Sequence, residues 1–547
     1  MKTNLAVYIR ALIVIVALTM PHAAEAQSNA TPNQKNTHHH YVLYDLGTFG
    51  GAASYANEGS ADGFYSNPLG SKQGIFTGWS ETTTPDPNGP LFCFNPSCQA
   101  SHAFQWQNGV EQDLGVLPGG LSSATNWVSG NGLIVGTSQN GEFDPFPAVI
   151  SGHQIPGWPE NRAVLWQNGN LIDLGTLPEG GNESGAVAVN NAGQVTGWAI
   201  NTVRDRMSMS VASFVYYFYE GPFAYQMRTF VWQNGVMEDI GTLGGPDALP
   251  MGMNELGQVI GISYTNSTAN SYNGCNPGVP PITPTQDPFI WEKGIGMTDL
   301  GSLGGTCGYA MGINNKGQVA GFSNLAGDQF GQAFLWDRAN GMVNLGSLGG
   351  GQAAAYAIND AGEVVGGSVP GDGATWPHAF LWKGSLQDLG VLAGDNCSWS
   401  YWVNASGQIV GNGGTDCEGR GFLWENSGPM VDLNSLVIST GGFSVTDAGY
   451  INDQGEIIGQ GTPSGCSDQG SCGHVYVMIP CDARHPGISG CDYSPVEISE
   501  ESEAKSAQGT RAPGATASER KLTPAETTAR FRKLMMSRYS RSRAMPN

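Results

Sequence analysis

The chain has 547 residues, of which 80 are glycine and only 13% are charged, with a formal net charge of −22. So much glycine argues against long helices, because each interior glycine costs about 0.5–1 kcal/mol relative to alanine. So much acid argues against a nucleic-acid partner, which needs a basic footprint.

Taken in chain order, the first segment is a targeting signal. Lys2 and Arg10 flank the start, Ala11 to Met20 is apolar but too short to span a bilayer, and Ala24-Glu25-Ala26 places small residues before Gln27. This pattern predicts a cleavable secretory signal over 1–26 and a secreted, extracellular or periplasmic protein beginning near Gln27. No later run is long or apolar enough for a transmembrane segment. Residues 27–40, with Pro32 and His38 to His40, read as a polar, flexible lead-in.

From residue 41 one pattern recurs eight times. Its Asp-Leu-Gly segment begins at Asp45, Asp113, Asp173, Asp239, Asp299, Asn344, Asp388 and Asp432. A small-residue strand and Asn-x-x-Gly turn recur at 187–197, 252–261, 312–321, 357–366, 402–411 and 450–459, with degenerate copies near 59–63 and 128–136. An aromatic strand ends at Trp106, Trp166, Trp232, Trp291, Trp336, Trp382 and Trp424, and at Met478 in the last copy.

Four short apolar runs separated by turns predict a four-stranded antiparallel sheet per copy. The fold class is therefore all-β, an eight-bladed β-propeller over 41–482, with seven blades as the alternative. The last copy lacks its outermost strand, and the orphan VLYDLG at 42–47 can supply it. That order puts the tight turns on one face. The long insertions, near 138–162, 199–228 and 263–287, fall on the other.

Ten cysteines in an exported chain read as disulfides. Cys93/Cys98, Cys466/Cys472 and Cys481/Cys491 are close enough for local pairs. Cys397 and Cys417 bracket one copy's first hairpin, and Cys275 and Cys307 hold comparable slots. The competing zinc reading lacks any CxxC pair. Residues 483–522 read as a linker. Thr523-Pro524 with Glu526 opens a short basic amphipathic helix over 523–547, carrying Phe531, Leu534, Met535 and Tyr539. Residues 27–493 hold 39 acids against 12 Lys/Arg, and 494–547 hold 6 against 10. The basic tail is thus suited either to the acidic body or to an anionic surface.

HAFLW at 378–382, DLGSLGG at 299–305 and AINDAGEVVG at 357–366 closely resemble the extracellular HAF repeat family, over about residues 41–480. The resemblance implies export and a propeller-like fold. It brings no established activity or catalytic residues.

A residue needed in every copy is most simply core, which is the reading adopted for the tryptophans. The repeated Asp reads as an acceptor for turn N–H groups, with weak divalent cation binding as the alternative, and no cofactor is predicted. Trp127, Trp402 and Tyr450 break a column of small residues and either fill the channel or line a site. Function is sought where copies differ. The most individual stretch is 213–225, and its Tyr216, Tyr217, Tyr219, Phe223 and Tyr225 are the candidate binding residues, suited to glycan or protein recognition unless they fold over the rim as a buried lid. Catalysis has little support. Asp205, Glu220, Asp287 and Asp328 sit in elaborated loops without a spacing that selects a pair, and no GxSxG, HExxH or phosphate loop occurs. The leading reading is a secreted non-enzymatic scaffold binding glycan or an extracellular or envelope protein. A carbohydrate-active hydrolase or lyase is the alternative, and a structural envelope component the second.

Overall fold

The structure, a computed structural model, describes residues 37–56, 68–87, 97–143, 148–150, 153–155, 159–205, 207–209, 225–270, 283–371, 373–415, 417–497 and 531. Among these the chain is almost wholly β. The unit is clearest in Gly349–Ile358, Val364–Pro370, His378–Trp382 and Leu386–Gly390, an antiparallel meander in sequence order. The same order recurs in units whose innermost strands are Gly50–Tyr55, Ser123–Val128, Ser184–Val189, Ala248–Met253, Gly304–Ile313 and Cys397–Val403. Successive units stack face on face, as in a β-propeller. One of the clusters filling the gaps joins Ala320 and Leu335 of one unit to Ala355, Val364 and Phe380 of the next.

The sheet that ends the series takes its outer strand from the start of the chain. Tyr41–Asp45 pairs antiparallel with His474–Pro480, Leu43 opposite Met478. Contacts also run from this sheet to the first one. Ser54 N donates to Gly473 O at 2.9 Å, and Val475 N donates to Ser54 Oγ at 2.9 Å. Phe76, Phe104 and Trp106 share a cluster with Ile458, Val475 and Val477.

Each letter of the repeat has a packing reason. The Phe of the aromatic strand is fully buried in Phe104, Phe230, Phe289, Phe334, Phe380 and Phe422. It lies over a glycine of the second strand. A Cβ on Gly321 would stand 2.8 Å from the Phe334 ring and 2.0 Å from Tyr309 O. The inner strand bulges opposite that glycine, as at Ala310/Gly312 and Ala355/Ala357, which drives its carbonyl into the space a side chain needs. Trp336 and Met478 pair with Val319 and Ile457, so Met478 stands in the tryptophan position and is itself fully buried.

The Asn-x-x-Gly turns form a ladder. Asn314 Oδ1 accepts from Lys316 N (3.1 Å) and Gln318 N (3.0 Å), tying its own turn. Its Nδ2 reaches the next unit's Asn359 O at 3.0 Å. Asn254 makes the same link to Asn314 O, Asn359 to Asn404 O, Asn404 to Asn452 O, and Asn452 returns to Ser71 O of the first sheet.

Two expectations need correction. The end of the lead-in is docked rather than flexible: Thr37–His38 pairs with Val496–Glu497, and buried His38 Nδ1 lies 2.8 Å from Glu425 Oε1. Burial opposes the charge on Glu425, but His38 and Gln408 together hold its carboxyl below the usual range. Residues 483–497 are likewise not a bare linker. The Cys481–Cys491 disulfide pins them, and His485 is held between Asp482 (2.7 Å) and Glu456 (3.4 Å). Residues 498–522 lie outside the described residues, as does the signal segment.

Candidate binding face

Most of the repeated polar residues are used up by the scaffold. The glycine that follows the Asp-Leu pair donates its N–H to the repeated acid, for example Gly115 to Asp113 and Gly301 to Asp299, both 2.7 Å, and Gly346 donates in the same way to Asn344 Oδ1. The other side of the acid meets the residue that precedes the Ala-Phe pair. His102–Asp113 (2.8 Å), Arg228–Asp239 (2.8 Å), His378–Asp388 (3.0 Å), Arg420–Asp432 (3.3 Å) and His474–Asp45 (2.9 Å) are such pairs, and Arg162–Asp173 is a looser one at 4.0 Å. Sequence reading missed this coupling. The signal was a His or Arg in that column in all but one of the copies that carry the acid. The His474–Asp45 pair joins the Tyr41–Asp45 strand to the strand His474–Pro480 beside it.

One copy breaks the rule. Asp287 takes the cation's place opposite Asp299, and burial first, then the Asp299 charge, pushes its carboxyl up to about 6. Among the described residues no group of three or more His, Cys, Asp or Glu is arranged to hold a metal ion.

The tight-turn face is closed by the asparagine ladder, so the opposite face carries the variation. There the strands themselves are lengthened, as in Ile134–Phe143 with Pro159–Gln167 and Val195–Arg204 with Tyr225–Gln233. Of the aromatic candidates, Tyr225 opens the last of these strands and is buried. Tyr216, Tyr217, Tyr219 and Phe223 lie outside the described residues, and so does Glu220. Asp328 is occupied by Thr306 and Asn324.

The base of the 199–228 insertion is organised by Asp247. Its carboxylate accepts from Met227 N at 3.0 Å and from Met209 N. Burial chiefly, with the Asp205 charge adding to it, pushes this carboxyl up to about 8. A folded-state pKa above the ordinary carboxylate value of about 3.9 means a stabilising contribution that is complete below about pH 4 and lost as pH rises towards 8. The urea midpoint of the wild type should therefore fall from pH 4 to pH 8 relative to Asp247→Asn. A difference constant across that range contradicts this assignment.

Near the axis, Trp127 and Trp402 are partly buried against neighbouring apolar clusters. Trp127 approaches within 3.8 Å of where a Gly252 Cβ would stand, and Trp402 packs on three separate clusters with its ring 4.9 Å from Tyr450. Beside them, towards the loop-bearing face, is a second apolar cluster. Met251, Met311, Tyr356 and Tyr401 occupy the same inner-strand position in four successive units, with Phe322 and Trp399 alongside. Phe531, from the segment expected to form the basic helix, is buried among them, its ring 5.3 Å from that of Trp399.

Disulfides join Cys397–Cys417, Cys466–Cys472 and Cys481–Cys491, as the spacing suggested. Cys98 and Cys307 are also disulfide-bonded. Cys93 and Cys275 fall outside the described residues. Among the described residues no helix is long and apolar enough to cross a membrane.

No protein-family model and no curated protein matches the chain. Solved structures do. The Pyrococcus horikoshii acylaminoacyl peptidase matches over 75% of this chain and 60% of its own length, at 9% identity and a TM-score of 0.38. The β-propeller domain of the Trilobed protease from Pyrococcus furiosus matches over 72% of this chain and 98% of its own, at 8% identity and 0.32. The gluconolactonase XC5397 from Xanthomonas campestris matches over 60% and 90%, at 11% identity and 0.27. No activity is carried over from them to this chain.

Proposed function

We propose that this chain is an exported, non-enzymatic propeller of eight blades, a HAF-repeat protein, that binds glycan or an extracellular protein through its loop-bearing face. The eight-blade reading is supported by the strand borrowed from residues 41–45 and by the hydrogen bonds between the last and first sheets. Export is consistent with the disulfides, since such bonds persist in oxidising compartments.

The observation that carries the functional reading is the division of labour between columns. The repeated Asn, Asp, His/Arg, Phe and Trp are engaged with one another in the scaffold. The face bearing unlike insertions is where individual chemistry is free to act. A glycan array with the mature protein tests this, repeated after residues 210–224 are replaced by a short Gly-Ser link that leaves both flanking strands intact. Binding should fall at least tenfold in the replaced variant. Release of product from an oligosaccharide would favour the hydrolase or lyase, and silence in both assays an envelope-building role.

A further inference from the structure

The cluster that receives Phe531 is not part of the repeat. At its key inner-strand position four successive units place Met251, Met311, Tyr356 and Tyr401, whereas the second and third units place Asn126 and Val187 there. A large side chain at this position in only half of the units is not a requirement of the repeat. It builds a one-sided apolar mouth near the axis.

The mouth has the chemistry of a ring site. Methionine adapts its shape and makes favourable sulfur–aromatic contacts, and Tyr356, Tyr401 and Trp399 offer tilted and edge-on partners, with Tyr356 and Trp399 themselves 5.5 Å apart at 86°. Phe531 fills it to 1% exposure. Its neighbours in sequence are Arg530, Arg532 and Lys533, and the body holds 39 acids against 12 Lys/Arg over residues 27–493. Long-range attraction therefore favours a basic segment around the anchoring ring.

We propose that this mouth is a binding site for a phenylalanine-bearing basic peptide, and that the C-terminal segment 523–547 is its built-in occupant, anchored by Phe531. An outside ligand of that chemistry then has to displace Phe531, and its apparent affinity is reduced by the fraction of molecules whose own tail is docked. The residues that define this site do not include the 210–224 insertion, and the proposal does not depend on whether that insertion binds a glycan.

The test uses the full mature chain and Phe531→Ala, with a fluorescein-labelled synthetic peptide of residues 523–543 as the probe. The peptide should bind Phe531→Ala at least tenfold more tightly than it binds the wild type, and the same peptide with alanine for phenylalanine should bind neither. Equal affinity for both proteins, or no binding to Phe531→Ala, would overturn the proposal. A wild-type measurement guards against a poorly folded variant: excess peptide should speed hydrogen exchange in the tail, and unchanged exchange counts against displacement. Glycan arrays on the same preparations separate this result from the fate of the loop-face reading, since the Phe531 substitution should leave those signals unaltered.

Discussion

Phe334→Ala is expected to lower stability by about 3–5 kcal/mol, the range for deleting a fully buried aromatic ring. Phe334 packs with Ile260, Ile290 and Leu300 of the preceding unit and with Ala310, Val319 and Trp336 of its own, so the cavity would open at the seam between two sheets. Collapse around it is restricted, because the strands on each side are held in register by their own ladders. Phe334→Leu should cost clearly less, since it keeps most of the volume. Gly321→Ala attacks the same place from the other side. Its Cβ would meet the Phe334 ring and the Tyr309 carbonyl at once. Combining the two substitutions relieves only the ring contact, so the double variant should remain less stable than Phe334→Ala alone. Urea unfolding of the four proteins reads both the single costs and the coupling. A double variant as stable as Phe334→Ala would show that the carbonyl does not constrain this glycine.

The parts of the fold legible in the sequence are those whose cause is local or strictly periodic. Short apolar runs separated by turns were enough to place strands, and in one such turn Asn168 and Gly169 both adopt left-handed backbone. The tryptophan column could be read as core because repetition itself argues against a ligand role. The Asp column could be read as a turn acceptor because its partner is two residues away.

What escaped has partners distant in sequence. Asn359 reads as a turn residue, but its Nδ2 partner, Asn404 O, belongs to the next unit. The His–Asp coupling joins positions ten or eleven residues apart within a blade, and at the seam it joins His474 to Asp45. His38 looked like part of a polar tract because Glu425, which buries it, lies 387 positions away. The mouth around Phe531 was hidden for a similar reason. Met251, Met311, Tyr356 and Tyr401 look like ordinary strand residues until four units are laid side by side. The tail had shown its amphipathic pattern in the sequence, but nothing in the sequence said where Phe531 would be buried.

The second large effect concerns closure. If Tyr41–Asp45 is the outer strand of the last blade, the ring is held by a pairing between the two ends of the repeat region, with Leu43 facing Met478 across a strand pair that carries no hydrogen bonds between those two residues. That geometry brings Cα atoms to about 4.5 Å, within reach of a disulfide. A bond there closes a loop spanning most of the protein, and chain entropy places its stabilisation at about 6 kcal/mol when native geometry is undisturbed. Loss of the strand acts in the opposite direction, since it would bare the edge of His474–Pro480 and free Asp45 from His474.

The most direct measurement is therefore the cross-link itself, in the variant carrying Leu43→Cys and Met478→Cys. Non-reducing peptide mapping of the purified protein should find residues 43 and 478 joined in nearly all molecules, with the native disulfides intact and a higher urea midpoint than a variant carrying alanine at both positions. Both introduced thiols remaining free in a folded protein would contradict the closed ring.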